Sequence, residues 1–168
     1  RVTILPDSAF NLEGQPLDIG SDLSHFPRPF FDNMQMTPAT ITFAFPAKLT
    51  ADAISAAALV SSWMGIQADY RGVSFAALSD RLPEQNGILI GHPGEQIGGV
   101  TLPQTAQPML SIIDNPANPT YKLLLVVGKD ETALRAAAWR LTRGNFDLQT
   151  ASLTVAAHTI PPSKPYDA

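Results

Sequence analysis

The chain predicts an α/β fold, a mostly parallel sheet in a three-layer sandwich, and three observations carry that expectation. Tyr121–Val127 holds the unbroken run Leu123, Leu124, Leu125, Val126, Val127, the pattern of a central strand buried on both faces. A capped helix follows it directly, with Asp130 as N-cap. Earlier, the β-branched and aromatic segment Thr40–Phe45 is likewise followed by a helix opening at Thr50, so strand and helix alternate as a parallel sheet requires.

Taken in order, residues 1–38 open with the apolar run Val2–Leu5 and then carry Pro6, Pro16, Pro27, Pro29 and Pro38, a spacing that blocks a long helix and favours extended chain. Phe26, Phe30, Phe31, Met34 and Met36 make this stretch an apolar strap, expected to lie against the domain because so many large apolar side chains are costly in water. After the strand at Thr40–Phe45, the helix Ala51–Met64 has Asp52 in its first turn and Gly65 as its expected stop. Ala53, Ala56, Ala57, Leu59, Val60, Trp63 and Met64 form its apolar stripe.

Tyr70, Val73 and Phe75 point to a strand within 67–78, with a short helical turn at Phe75–Leu82 as the competing reading. Gly87–Gly91 and Met109–Ile113 read as short buried strands. Asn115-Pro116 and Asn118-Pro119 form a turn. The second helix runs from Asp130 to Arg143 and ends at Gly144, its stripe being Leu134, Ala137, Ala138 and Leu141. Ser152–Ala156 reads as a last strand, and Ile160–Pro165 as an exit linker. The expected organisation is a strap over 1–38, one domain over 39–157 and a linker over 158–168.

Composition narrows the function. Eleven Lys and Arg against fifteen Asp and Glu, a net charge of -4, leave no clustered basic face for a phosphate backbone, so no nucleic-acid role is expected. Zero cysteines exclude disulfides, thiolate metal sites and a cysteine nucleophile. The 15% charged content is low against about 25% in typical domains, which predicts that part of the surface is covered by something else. No apolar run approaches a membrane span, and the opening Arg1 fits a piece of a longer precursor.

Candidate chemistry is sparse. The loop Gly91, His92, Pro93, Gly94, Glu95, Gln96, Ile97, Gly98, Gly99 follows a strand, where α/β folds often hold phosphate. It lacks the Gly-Lys-Ser/Thr ending of a phosphate loop, and Val100–Pro103 reads as extended chain where a helix would be needed. The leading reading is a wide surface turn. The alternative is a ligand loop in which Gly91, His92, Gly94, Gly98 and Gly99 take a nucleotide or an oligosaccharide. A flavin phosphate would want Gly and hydroxyls after the first strand, but Pro46, Ala47, Lys48 and Leu49 stand there, so no cofactor is expected.

His25, His92 and His158 lack metal-ligand spacing and are read as scattered surface histidines, with no metal expected. No Gly-x-Ser-x-Gly elbow occurs, and Asp80 with Glu84 reads as loop solvation, so no catalytic residue is assigned; a hydrolase is the weakest reading. Trp139 lies roughly 150° from its helix's stripe, beside Arg135, and is a candidate partner contact, with cover by the terminal segments as the alternative. Ile54, Ala58 and Ser61, on the uncharged back of the first helix, are further candidates for contact with another domain or subunit.

At His25-Phe26-Pro27-Arg28-Pro29-Phe30-Phe31-Asp32, Ala68-Asp69-Tyr70-Arg71-Gly72 and Asn86-Gly87-Ile88-Leu89-Ile90-Gly91 the chain resembles the B subunit of bacterial cellulose synthase. The likeness continues through Ile113-Asp114-Asn115-Pro116 and Leu124-Leu125-Val126-Val127-Gly128 and covers nearly the whole chain. It implies the first flavodoxin-like domain of a periplasmic subunit that alternates such domains with carbohydrate-binding ones. The family supports glucan synthesis and export and is often labelled as binding cyclic di-GMP. Implied partners are the catalytic A subunit, other copies of the B subunit and, through neighbouring domains, the nascent glucan. Its membrane contact is a C-terminal anchor absent from this sequence, and it offers no catalytic residues to transfer. The expectation is a non-catalytic structural domain; cyclic di-GMP or oligosaccharide binding by residues 91–99 is the alternative.

Overall fold

The computed structural model describes residues 20–32, 34–35, 37–143 and 150–156. The strands of its main sheet are β1 Ala39–Phe45, β2 Val73–Ser79, β3 Gly87–Gly91, β6 Met109–Asp114, β7 Lys122–Val127 and β8 Ser152–Thr154. They lie in the order β2-β1-β3-β7-β6-β8. The pairs β1–β2, β1–β3 and β3–β7 are parallel; β6–β7 and β6–β8 are antiparallel. Helix α1 spans Ala51–Ala68 and α2 Glu131–Thr142, while β4 Gln96–Ile97 and β5 Val100–Thr101 form a separate small hairpin. The mixed α/β architecture with a mostly parallel sheet is the one the sequence predicts.

Alternation of side chains divides the core in two. Ile41, Phe43, Phe45, Ile88, Ile90, Leu110, Ile112, Leu124 and Val126 face the helices, which pack against each other on that side. Ala44, Leu89, Leu123, Leu125 and Val127 face the other way, where Ile97 and Leu102 cover them. Among the described residues this second layer is therefore built from loop and hairpin rather than from helix. Strands β3 and β7 lie buried along their whole length, which explains why both read as unbroken apolar runs.

Both helices start where their caps predict: Thr50 accepts from the Ala53 amide and Asp130 from the Ala133 amide. Helix α1 does not stop at Gly65. It runs on to Ala68, where Asp69 takes φ 52° and Arg71 donates to the Ala68 and Gln67 carbonyls, satisfying the last turn by side chain instead of by glycine. The competing helical turn at Phe75–Leu82 is not formed, because Val73–Ser79 pairs with β1 at all seven positions. The last strand ends at Thr154 rather than at Ala156, the Val155 amide bonding to Pro108 beyond the sheet ladder. Gly144, His158 and the exit linker lie outside the described residues.

Part of the proline-rich strap is folded onto the helical face. Leu23, Phe26, Phe30 and Phe31 are buried with the main core, and Phe26 stacks on Trp63 at 5.6 Å between ring centroids. Each such side chain is worth about 1.5–3 kcal/mol of transfer free energy when taken from water.

Candidate functional site

An open parallel sheet presents its natural ligand crevice at the carboxyl ends of the strands, where neighbouring strands connect in opposite directions. Here that point lies between β1 and β3: β1 leads through α1 to β2 on one side, and β3 pairs with β1 on the other. The elements around it are Pro46–Thr50, the first turn of α1 and the glycine-rich segment from Gly91.

That segment is not a wide surface turn. Gln96 pairs with Thr101 and Ile97 with Val100, leaving Gly98 and Gly99 at φ 54° and 88° as the two-residue turn of a tight hairpin. Positive φ at both central positions is the demand such a turn makes, and glycine meets it without strain. Ile97 and Leu102 are fully buried beneath the sheet, so the hairpin is a packing element.

Four amides of this segment that a phosphate could use already have partners. The His92 N–H donates to the Glu95 carboxylate at 2.7 Å, the Gly94 N–H to Leu102 O at 3.1 Å, the Glu95 N–H to His92 O at 3.2 Å, and the Gly98 N–H to the Asp80 carboxylate at 3.2 Å. Asp80 is therefore a structural acceptor and not simple loop solvation. A Cβ at Gly91 would sit 2.7 Å from Leu102 and 2.8 Å from Glu95, so the floor of the crevice is already filled. At Gly98 the same atom would meet the Leu82 backbone N at 2.6 Å, and at Gly94 the Gln104 side chain at 2.3 Å.

His92 is not a free surface histidine. Its ring is half-buried, and Nδ1 lies 2.8 Å from Gly128 O at the end of β7; a carbonyl can only accept, so Nδ1 carries the proton. Nε2 faces the Asp52 carboxylate at 3.9 Å in the first turn of α1. Asp52 thus places negative charge in the first turn of α1, the position an anionic ligand would seek, and the Glu95 carboxylate occupies the His92 amide nearby. His25 is exposed, and among the described residues no group of His, Asp and Glu is placed to hold a metal ion.

The candidate contact residues lie elsewhere and apart. Trp139 is half-buried instead of exposed, covered by the Arg143 guanidinium at 3.9 Å from the ring centroid, while Arg135 pairs with Glu131 at 3.7 Å. Ile54 and Ala58 are exposed on α1 and Ser61 is half-buried, its hydroxyl returned to Ala58 O. Leu49 and Ile54 stand at the two positions that flank the Thr50 cap, and both are exposed.

Sequence reasoning missed the polar pins at the amino ends of the strands. Asn115 is fully buried; its amide donates to Pro83 O at 2.8 Å and Gln85 O at 3.0 Å, and its oxygen accepts from the Ala117 amide. Asn86 ties Pro29 O to the Lys122 amide. Lys122 is buried and donates to Asp114 at 2.7 Å, which holds that carboxyl below its ordinary pKa. The only signal was an asparagine before a proline, which specifies a turn and says nothing of what the free amide reaches.

A family model described as cellulose synthase BcsB, first FD domain, matches residues 22–155. The chain belongs to that family. It is 34% identical over 163 residues to a cyclic di-GMP-binding protein of Escherichia coli K12, 33% over 165 residues to one of Pseudomonas fluorescens, and 30% over 137 residues to one of Komagataeibacter xylinus. These alignments take in 96%, 96% and 82% of this chain but only 21%, 22% and 17% of the relatives, so the chain spans about a fifth of their length. In this BcsB domain, no helix among the described residues is long and apolar enough to cross a membrane.

Proposed function

We propose that this domain is a non-catalytic structural module of the periplasmic cellulose synthase subunit, supporting glucan synthesis and export by holding neighbouring modules in place. Its partners on this reading are the catalytic A subunit and further copies of the B subunit, with glucan reached through adjacent carbohydrate-binding domains. Family membership supports the setting. The role within it rests on one observation: at the carboxyl edge of the sheet the amides of His92, Gly94, Glu95 and Gly98 are already hydrogen-bonded within the chain.

The relatives carry the name cyclic di-GMP-binding protein. Two phosphates are best held by paired guanidinium groups, whereas the side chains that face this crevice include the carboxylates of Asp52 and Glu95. Four-fifths of each relative lies outside the matched region and is free to carry that property. Calorimetric titration of the 168-residue chain with cyclic di-GMP, flavin mononucleotide and cello-oligosaccharides tests the reading, which expects no saturable heat from any of the three. Saturable binding that disappears on replacing His92 and Gly94 would defeat it in favour of a ligand-binding module at residues 91–99.

A further inference from the structure

The strap and the last strand meet. The Leu23 amide donates to Thr150 O at 3.0 Å, just before β8, and the Ser21 hydroxyl donates to Asp114 at the end of β6 at 3.1 Å. Asp22 caps the short turn Leu23–His25 by accepting from the Ser24 amide at 2.7 Å, which orients Leu23 for that bond. Further on, Phe26 stacks on Trp63 of α1, and Pro29 O accepts from Asn86 between β2 and β3. Within about ten residues, therefore, the strap grips the end of β6, the segment that enters the edge strand, a helix and a loop. The match to the family begins at Asp22 and ends at Val155, so Leu23, Phe26, Pro29 and β8 lie inside the shared unit and Ser21 stands one residue before it.

We propose that residues 20–32 are a fixed clasp, fastening the chain's entry into the domain to the segment that opens β8, so that residues 20–23 and 150–154 move together. A strand of three residues, Ser152–Thr154, held on one side by β6 is a weak attachment by itself. The strap supplies the second attachment and also covers the start of an otherwise open edge. A displacement of the chain at residues 20–23 would then reach the segment that opens β8, and α1, through these contacts. The clasp gives the structural reading a mechanism and rests on that reading for its purpose alone; a ligand found at the carboxyl edge would sink the function and leave the clasp intact.

Amide hydrogen exchange on the full chain tests it. The Leu23 and Phe26 amides are expected to exchange at least about a hundredfold more slowly than unstructured chain. Phe26→Ala removes the stack on Trp63, and is expected to speed exchange about tenfold both at Leu23 and at Ile112 and Val155, whose amides flank β8. Leu124–Val126 should stay unchanged. Exchange of Leu23 near the unstructured rate in the unmodified chain overturns the clasp whether or not the variant folds. Acceleration confined to residues 20–32 in Phe26→Ala overturns the coupling to β8.

Discussion

The two ends of the parallel strands are closed by different means. At the amino end, buried side chains make the closure: Asn115 donates both hydrogens of its amide, to the Pro83 and Gln85 carbonyls, and Lys122 reaches Asp114 from a buried position. At the carboxyl end, where a fold of this kind ordinarily receives its ligand, the closure is made by backbone amides bonded within the chain and by a half-buried histidine bonded to Gly128 and facing Asp52. The first is structure that cannot be lost cheaply. The second stands where a binding site would be, built so that little remains to bind with.

Perturbing the amino end should cost most. Asn115→Ala leaves the buried Pro83 carbonyl and the part-buried Gln85 carbonyl without their donor, and about 3 kcal/mol of stability should go, or roughly 6–12 °C in melting temperature. A loss below 1 kcal/mol would mean that water replaces the amide.

The hairpin at the carboxyl end offers an internal control. Gly98→Ala meets both a positive φ and the Leu82 backbone, whereas Gly99→Ala meets the positive φ alone, nothing lying within 4 Å of its added carbon. About 2–3 kcal/mol is expected for the first and about 1 kcal/mol for the second by chemical denaturation. Equal effects would show that the hairpin is not packed against the 81–82 backbone.

A loss of the same size as that for Gly99→Ala, about 1 kcal/mol, is expected from His92→Ala, which removes one hydrogen bond to Gly128. The smallest effect is one of pH. The hydrogen bond from Lys122, and after it that from Ser21, lowers the pKa of Asp114 from its ordinary 3.8. Its contribution to stability is therefore fully present above that ordinary value and is lost as pH falls through the lowered one. Because the carboxylate is more than half exposed, screening keeps the effect below about 1 kcal/mol. Acid titration of Asp114→Asn should show a correspondingly flatter loss of stability as pH falls below 3.8.

The strands and helices were legible because their signals are local. The run Leu123–Val127 and the caps Thr50 and Asp130 each announce an element within a few residues, and the structure forms each of them. Gly65 misled because a C-terminal cap also depends on the residues beyond it, and Arg71 supplies the carbonyl donors that let α1 run a further turn. The strap's aromatics signalled that it would be covered, but not that it would fasten to Thr150, a contact 127 residues away in the chain. The candidate site was legible in its glycines and illegible in its closure. That Gly98 answers to Leu82, and His92 to Gly128 and Asp52, comes from chain crossings that no spacing reveals.

The central claim, that the crevice between β1 and β3 is closed by the chain's own groups, is tested most directly by amide chemical shifts. Cyclic di-GMP added to the isotopically labelled 168-residue chain should leave the amides of residues 47–53 and 91–99 unmoved, just as inorganic phosphate should. Saturable shifts of the His92, Gly94 and Glu95 amides, at concentrations where phosphate alone has no effect, would mean that those hydrogen bonds open to admit a ligand and would contradict the account.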